Sequence, residues 1–469
     1  MIATRPTPRL LSAPPAVLAM ILVAPLVPVL AYLAATRPAY ALAVAALAGV
    51  IVALFSNLTL GVCLFVGIQF ALPIFANDSV AKLLGLALVA RWLIEVAYPN
   101  PARRLKSFAR RYPVMAAFLV ASLVYSVVSA IWAPSPSEVF SNVARYALDT
   151  VLLATIFAAA RTREALRWIA TAIACGGAAT VALLLIVGRS IDASRLSDSG
   201  IDPNELAMTL VASILFGCLL AIQSHSRLAR LGFAGVVLLN FYGLLLTNSR
   251  GGLLAMIVAL FTWVVVGGRW RSRLAFAAII ALVSAVAYIA VVAPEPQRAR
   301  VEGVLGIGSH PVDRGGAGRT SIWAVGMRAF EARPLQGFGY GNYREVAPHY
   351  LLSEPGLVES RYILHPLVAH NTYLQSLVEV GIAGSVLFFA PIAGALVAFL
   401  LAARRFRRSR REELELFART GFAALIGVLA ASFFISEGQA KILWIMVGLG
   451  FGLCDLYRPQ MPRYAAGEL

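Results

Sequence analysis

A histidine stands where a long polar stretch gives way to an apolar one: His370-Asn371-Thr372-Tyr373-Leu374-Gln375-Ser376-Leu377-Val378-Glu379-Val380-Gly381-Ile382-Ala383-Gly384. Imidazole can accept a proton near neutral pH, as a general base must. At about 100° per residue, a helix here puts His370, Leu374 and Leu377 on one face and Glu379 opposite. Gly381 and Gly384 would admit a neighbouring helix closely. The plainer alternative is a capping or interfacial histidine.

A second cluster, Leu246-Thr247-Asn248-Ser249-Arg250-Gly251-Gly252, separates two apolar runs. Arginine suits a phosphate or carboxylate, because its planar fork makes two parallel charge-assisted hydrogen bonds. An arginine bound to lipid headgroups is the alternative. A third, Gly318-Arg319-Thr320-Ser321-Ile322-Trp323, is followed by Arg333-Pro334-Leu335-Gln336-Gly337-Phe338-Gly339-Tyr340-Gly341-Asn342-Tyr343. Arg319 at the start of a helical turn would join its guanidinium to free backbone N–H groups facing an anion. The glycines with interleaved aromatics suit a loop packed on a membrane surface, where the rings could also stack on sugars. Asp202-Pro203-Asn204-Glu205 reads as a helix N-terminus. Arg145 and Asp149, spaced i, i+4 within an apolar run, read as an internal ion pair. Arg189 and Arg195, on the first long outward connector, add cationic charge to the same side. No Asp-x-Asp stands on an outward loop, and neither His-Glu-x-x-His nor Cys-x-x-Cys occurs, so the sequence supports no metal site and implies no cofactor. No serine has the setting of a nucleophile elbow.

The elements that must position these residues are membrane helices. Of 469 residues 60% are hydrophobic and 13% charged, against roughly 25% charged in soluble domains. The mean hydropathy is +0.79. Apolar segments fall at about 15–35, 39–55, 58–76, 80–97, 113–133, 139–160, 168–188, 205–222, 230–247, 251–267, 273–293, 374–402, 419–436 and 441–456. Each approaches the ~20 residues that cross a bilayer. An even number of spans, twelve to fourteen, is expected, the pair around Ser56-Asn57 being short enough for an interrupted hairpin. The net charge of +17 comes almost wholly from arginine, the lysines being Lys82, Lys106 and Lys441. The arginines gather in alternate connectors: 103–111, 161–167, 227–230, 269–273 and 404–408. By the positive-inside rule these face the cytoplasm, with both termini, and nucleic acid is not the partner. The four cysteines stand singly in apolar segments, as small core residues. Two outward connectors are long, 189–204 and 294–369; the second carries eight arginines, seven carboxylates and Trp323 and should fold. Within it, 321–332 reads as an amphipathic helix with Ile322, Val325 and Phe330 on one side. The chain therefore divides into membrane helices at 1–293, a loop subdomain at 294–369, and membrane helices at 370–469.

Together, Asn248-Ser249-Arg250-Gly251, Arg319 through Trp323, Pro334-Leu335-x-Gly-x-Gly-x-Gly-Asn and His370-Asn371-x-x-Leu374 through Glu379-x-Gly381 resemble the Wzy_C superfamily of cell-envelope glycan enzymes, especially WaaL-type O-antigen ligases. The resemblance spans roughly 246–384. It implies an all-α polytopic, GT-C-like glycosyltransferase of the bacterial inner membrane with a periplasmic site. The donor would be an O-polysaccharide on undecaprenyl pyrophosphate, and the acceptor a hydroxyl of the lipid A–core oligosaccharide. Transfer would be metal-independent and inverting. Arg250 and Arg319 match the family's arginines and would hold the pyrophosphate, with Arg189 and Arg195 adding charge. His370 would take the acceptor proton, with Asn371, Glu437 and Asn248 as accessory residues. A polymerase or a protein O-oligosaccharyltransferase of the same superfamily would use the same residues. A lipid-carrier flippase would instead place its charges at mid-membrane, often in repeated halves.

Overall fold

The computed structural model describes residues 37–69, 78–97, 108–187, 196, 202–276, 279, 283, 319–351 and 368–456. Among the described residues there are helices and turns and no strand, and the chain is an all-α polytopic membrane protein. An apolar chain in lipid must satisfy its backbone groups internally, and helices do that segment by segment.

Helices α1 (Pro38–Ser56) and α2 (Leu58–Gln69) form a hairpin broken at Asn57, whose side chain accepts from the Thr59 amide at 2.9 Å. Next come α3 (Asp78–Ala97) and α4 (Pro113–Val128), which ends in a 3₁₀ turn at Ser129–Ile131. They are followed by α5 (Pro136–Ala159), α6 (Arg163–Val187), α7 (Pro203–Gln223), α8 (Arg227–Leu246) and α9 (Arg250–Val266). Proline opens α1, α4, α5 and α7, a position where its missing N–H has no intrahelical acceptor anyway. Two short helices, α10 (Arg319–Ala332) and α11 (Tyr343–Leu351), precede α12 (Thr372–Arg408), α13 (Glu412–Ala431) and α14 (Lys441–Asp455).

Burial separates central helices from peripheral ones. In the most apolar stretch of α7, 78% of residues are buried, and in α13 72%, whereas α4 and α8 reach 22% and present Val120, Val124, Leu231 and Leu238 outward. A helix apolar all round and buried is a core helix; one with exposed leucines faces lipid.

The connectors rich in arginine meet at one end of the bundle. There Arg163 pairs with Glu413, Arg269 with Glu412, and buried Glu415 with both Arg269 (3.0 Å) and Arg419 (2.8 Å). Arg111 lies 3.4 Å from Asp455 at the end of α14. The opposite end carries the connectors with the candidate chemistry.

Among the described residues, seven helices are long and apolar enough to cross a membrane, eight if the pair Arg250–Val266 and Gly268–Phe276, bent by 111°, is one span. That is fewer, among the described residues, than the twelve to fourteen expected from apolar runs. The short pair at Ser56-Asn57 supplies one reason, since α2 has only 12 residues. The expected segment 15–35 and most of 273–293 lie outside the described residues.

Candidate functional site

The site is built on a break in α12. Gly381 has φ 62° and ψ −169°, so the hydrogen-bond ladder of the helix is interrupted there. The loop after α10 enters the notch. Phe338 and Gly339 donate to the carbonyls of Val378 and Glu379 at 3.0 and 2.7 Å, while Ile382 and Ala383 donate to those of Pro334 and Leu335 at 2.8 and 3.3 Å. Backbone groups freed by the break are thus satisfied by a second segment, as buried peptide groups require.

The carboxylate of buried Glu379 holds the rest of the loop. Its Oε2 accepts from the Gly341 amide at 2.9 Å, and its Oε1 from the Tyr343 amide at 3.4 Å and Gln375 Nε2 at 2.8 Å. Buried Asn342 reaches the other way: its Oδ1 accepts from the Ser135 amide at 2.7 Å and its Nδ2 donates to the Ser135 carbonyl at 3.1 Å. Beyond it, Tyr343, Val346 and Ala347 of α11 pack with Ile322, Val325 and Ala329 of α10 on Leu374 and Val378 of α12. The expected amphipathic face of 321–332 is present, with Ala329 rather than Phe330 at its centre.

The connector between α13 and α14 forms the facing wall. Thr372 donates from its amide to the Ser432 carbonyl (2.9 Å) and from Oγ1 to the Ile435 carbonyl (2.7 Å), and it accepts from the Glu437 amide at 3.0 Å. Gln439 Nε2 donates to the Tyr340 hydroxyl at 2.9 Å and to the Asn142 carbonyl at 3.1 Å.

Two cavities open between these walls. A polar one of about 420 Å³ is lined by Arg145, Arg344, Glu379, Glu437, Gln375 and Gln439 among others. The Oγ of Ser436 and the Oε1 of Gln375, both on its wall, are buried without a hydrogen-bond partner. An apolar one of about 510 Å³ runs along α3 and α5 past Leu86, Leu88, Leu148 and Leu152, with Asp149 and Lys441 on its wall. Arg145, Glu437 and Gln439 line both, so the polar cavity meets the apolar one at these three side chains.

Burial pushes the Glu437 carboxyl up to about 8; the nearby carboxylates of Glu205 and Asp202 add to the rise, and Arg145 and Arg344 oppose it. At neutral pH Glu437 is therefore mostly a neutral hydrogen-bond donor. Burial likewise raises the Tyr340 hydroxyl well above the usual phenol range.

The residues singled out in sequence fall into place unevenly. His370 precedes the helix, with φ 46°, and Asn371 is the N-cap, its Oδ1 accepting from the amides of Tyr373 and Leu374 at 3.0 Å each. The helical face drawn through His370 therefore does not exist. Instead His370 is half-buried and lines neither cavity described above, although its chain neighbours Val368 and Thr372 line the polar one. Its neighbour Ala369 accepts from Trp323 Nε1 at 3.0 Å, which ties α10 to this point. Arg319 is the first residue of α10. Arg250 is exposed in the first turn of α9, behind the Ser249 N-cap that accepts from Gly252 at 3.0 Å, and Asn248 forms the preceding turn with φ 52°. Gly251 packs against Phe434, three residues before Glu437. Asp202 caps α7, accepting from Asn204 at 2.7 Å. Arg189 and Arg195 lie outside the described residues.

Three expectations are corrected. No ion pair joins Arg145 to Asp149: the guanidinium faces the cavity junction, and Asp149 Oδ2 is buried without a hydrogen-bond partner. Gly381 admits a loop backbone, not a helix. The Gly-Phe-Gly-Tyr-Gly-Asn run packs inward against α12 and the α4–α5 connector. Sequence reading also missed Arg344 and Gln439. The one local sign for Arg344 was its place directly after a glycine-punctuated strap ending in Asn342-Tyr343. Among the described residues, no three His, Cys, Asp or Glu side chains converge as a metal cage requires.

Comparison with known families places this architecture. Residues 234–389 match the Wzy_C family, described as O-antigen ligase. The match runs from within α8 to the middle of α12, so it includes Arg250, Arg319, His370 and the notch at Gly381 but not Arg145 or Glu437. No curated protein matches the chain. The chain is a multi-pass helical membrane protein whose residues 234–389 are similar to the Wzy_C family of O-antigen ligases.

Proposed function

We propose that the protein is an O-antigen ligase, transferring a polysaccharide from undecaprenyl pyrophosphate to a hydroxyl of the lipid A–core oligosaccharide. The observation that carries this is the meeting of the apolar and polar cavities at Arg145, Glu437 and Gln439. A lipid-linked donor has a long apolar tail, a doubly charged diphosphate and a polar glycan, in that order. The apolar cavity beside α3 and α5 suits the tail, entering sideways from the bilayer; the polar cavity suits the glycan; and the cationic junction suits the diphosphate between them. The arginine-rich end of the bundle, read as cytoplasmic by the positive-inside rule, supports a site at the periplasmic face of the inner membrane with both termini in the cytoplasm.

In the reaction, the acceptor hydroxyl oxygen bonds to the anomeric carbon from the face opposite the leaving group. The carbon–oxygen bond to the diphosphate breaks, its electron pair stays on the diphosphate, and the acceptor proton passes to His370. Arg145 and Arg344 face the charge that develops on the leaving group, and fixed cations in a partly dehydrated site stabilise such charge strongly. Arg250 and Arg319, matched through the family resemblance, serve the same diphosphate, with Arg189 and Arg195 reinforcing the positive field. Glu437, neutral below about 8, does not repel the donor.

The test is transfer by purified protein from undecaprenyl-pyrophosphate-linked polysaccharide to lipid A–core in the presence of EDTA. Ligated product is expected from wild type, and about 100-fold less or lower still from His370→Ala, the usual scale of a lost general base. Arg250→Ala and Arg319→Ala should lose transfer while still inserting into the membrane. Lengthening of the donor glycan without ligation would make the protein a polymerase. Equal product from His370→Ala would remove the histidine from the proton transfer.

A further inference from the structure

We infer that Glu379 is a positioning residue that sets Arg344 toward the donor diphosphate; this rests on the donor site proposed above. Glu379 lines the polar cavity, yet both of its oxygens are engaged: Oε2 by the Gly341 amide, and Oε1 by the Tyr343 amide and Gln375 Nε2. A carboxylate so occupied is badly placed to take a proton from substrate. What it does hold is the backbone on either side of Asn342, immediately before Arg344 at the start of α11.

The hold is specific to a carboxylate. Two acceptor oxygens meet two backbone donors and one side-chain donor, whereas a carboxamide offers one acceptor oxygen and an NH₂ group. Glu379→Gln therefore strands at least one buried N–H of the strap. From the other side, Asn342 clips the same three residues to Ser135 at 2.7 and 3.1 Å, and Gly341 has φ 77° with no room for a Cβ, which would lie 2.3 Å from Asn142 Nδ2. With the strap fixed from both faces, Arg344 is delivered into the polar cavity within electrostatic reach of Glu379 and Glu437, on the cavity that Arg145 also lines. The carboxyl group thus does two things: its oxygens accept from the strap, and it lies within electrostatic reach of the guanidinium that the strap carries.

Because Glu379 acts through Arg344, the two should not contribute independently. Binding of undecaprenyl pyrophosphate without glycan is measured on the full-length protein in detergent for wild type, Glu379→Gln, Arg344→Gln and the double variant. Arg344→Gln is expected to weaken binding about tenfold or more, as loss of a hydrogen bond to a charged group does. Glu379→Gln should weaken it several-fold, Glu379→Asp less, and the double variant no further than Arg344→Gln alone. Losses that multiply in the double variant, or wild-type binding by Glu379→Gln, would overturn the inference. Amide hydrogen exchange of the 339–344 segment without ligand reads the hold separately: exchange is expected to quicken in Glu379→Gln by more there than in the rest of the bundle, and unchanged exchange would also overturn it. Absence of binding by wild type would instead count against the donor site, leaving the exchange experiment to decide the role of Glu379.

Discussion

Gly381 and Leu335 meet backbone to backbone. A Cβ built on Gly381 would lie 2.3 Å from the Leu335 carbonyl oxygen, and one on Gly337 would lie 2.4 Å from the Glu379 carbonyl. Both glycines have positive φ, 62° and 69°. The break in α12 and the loop that fills it thus depend on two residues without side chains.

Gly381→Ala should therefore destabilise the protein by about 2 kcal/mol or more, combining left-handed strain with a clash against backbone that cannot yield. Gly235→Ala in α8 is the control, since nothing lies within 4 Å of its added methyl. There a gain of up to about 1 kcal/mol is expected from helix propensity. Thermal unfolding in detergent checks both; equal midpoints for the two variants would refute the packing described at the notch.

Arg145 makes a sharper distinction. Were it the partner of Asp149, replacing it would strand a buried carboxylate and cost about 3 kcal/mol or more. With its guanidinium on the cavities instead, Arg145→Gln should alter stability by no more than about 0.5 kcal/mol. Donor binding should fall about tenfold, as for other charge-assisted contacts. A large drop in thermal midpoint with donor affinity intact would restore the ion pair.

Glu437 gives the site a pH dependence of known sign. Its carboxyl is raised to about 8 by burial and by Glu205 and Asp202, so it is neutral below that value and anionic above it. Donor affinity should fall as pH rises through about 8, because the new charge repels the diphosphate, and Glu437→Gln should flatten that part of the profile. Stability follows the same direction: the folded state holds a proton that the unfolded state releases near 4.5, so stability declines from there up to about 8. Transfer that instead increases through about 8, and stops doing so in Glu437→Gln, would identify Glu437 as the proton acceptor in place of His370.

Much of the framework was legible because local rules decided it. Apolar runs, arginine-rich connectors and the helix start at Asp202-Pro203 are read from neighbours a few residues away, and α7 begins where that signal stands. The site was less legible because its members come together through the fold. Arg145 has an acidic residue at the right helical spacing, and only the packing of α3, α5 and the 432–440 connector turns it toward a cavity. Arg344 and Gln439 sit in no motif, and Gly381 resembles a helix-packing glycine until the loop that needs its backbone conformation is placed. His370 shows the limit of helical periodicity, since the wheel fails two residues before the helix begins.

The most direct measurement of the central claim is photo-crosslinking to the lipid. A benzophenone amino acid is placed at Leu86 or Leu148, both exposed on the apolar cavity, or at Phe261, exposed on α9 away from it. Membranes holding undecaprenyl pyrophosphate are then irradiated. Crosslinks to the polyprenyl chain at Leu86 and Leu148 but not at Phe261, lost on adding excess polyprenyl pyrophosphate and kept on adding phosphatidylglycerol, are the expected result. Equal labelling at all three positions, or none at Leu86 and Leu148, would contradict a donor seated across the two cavities.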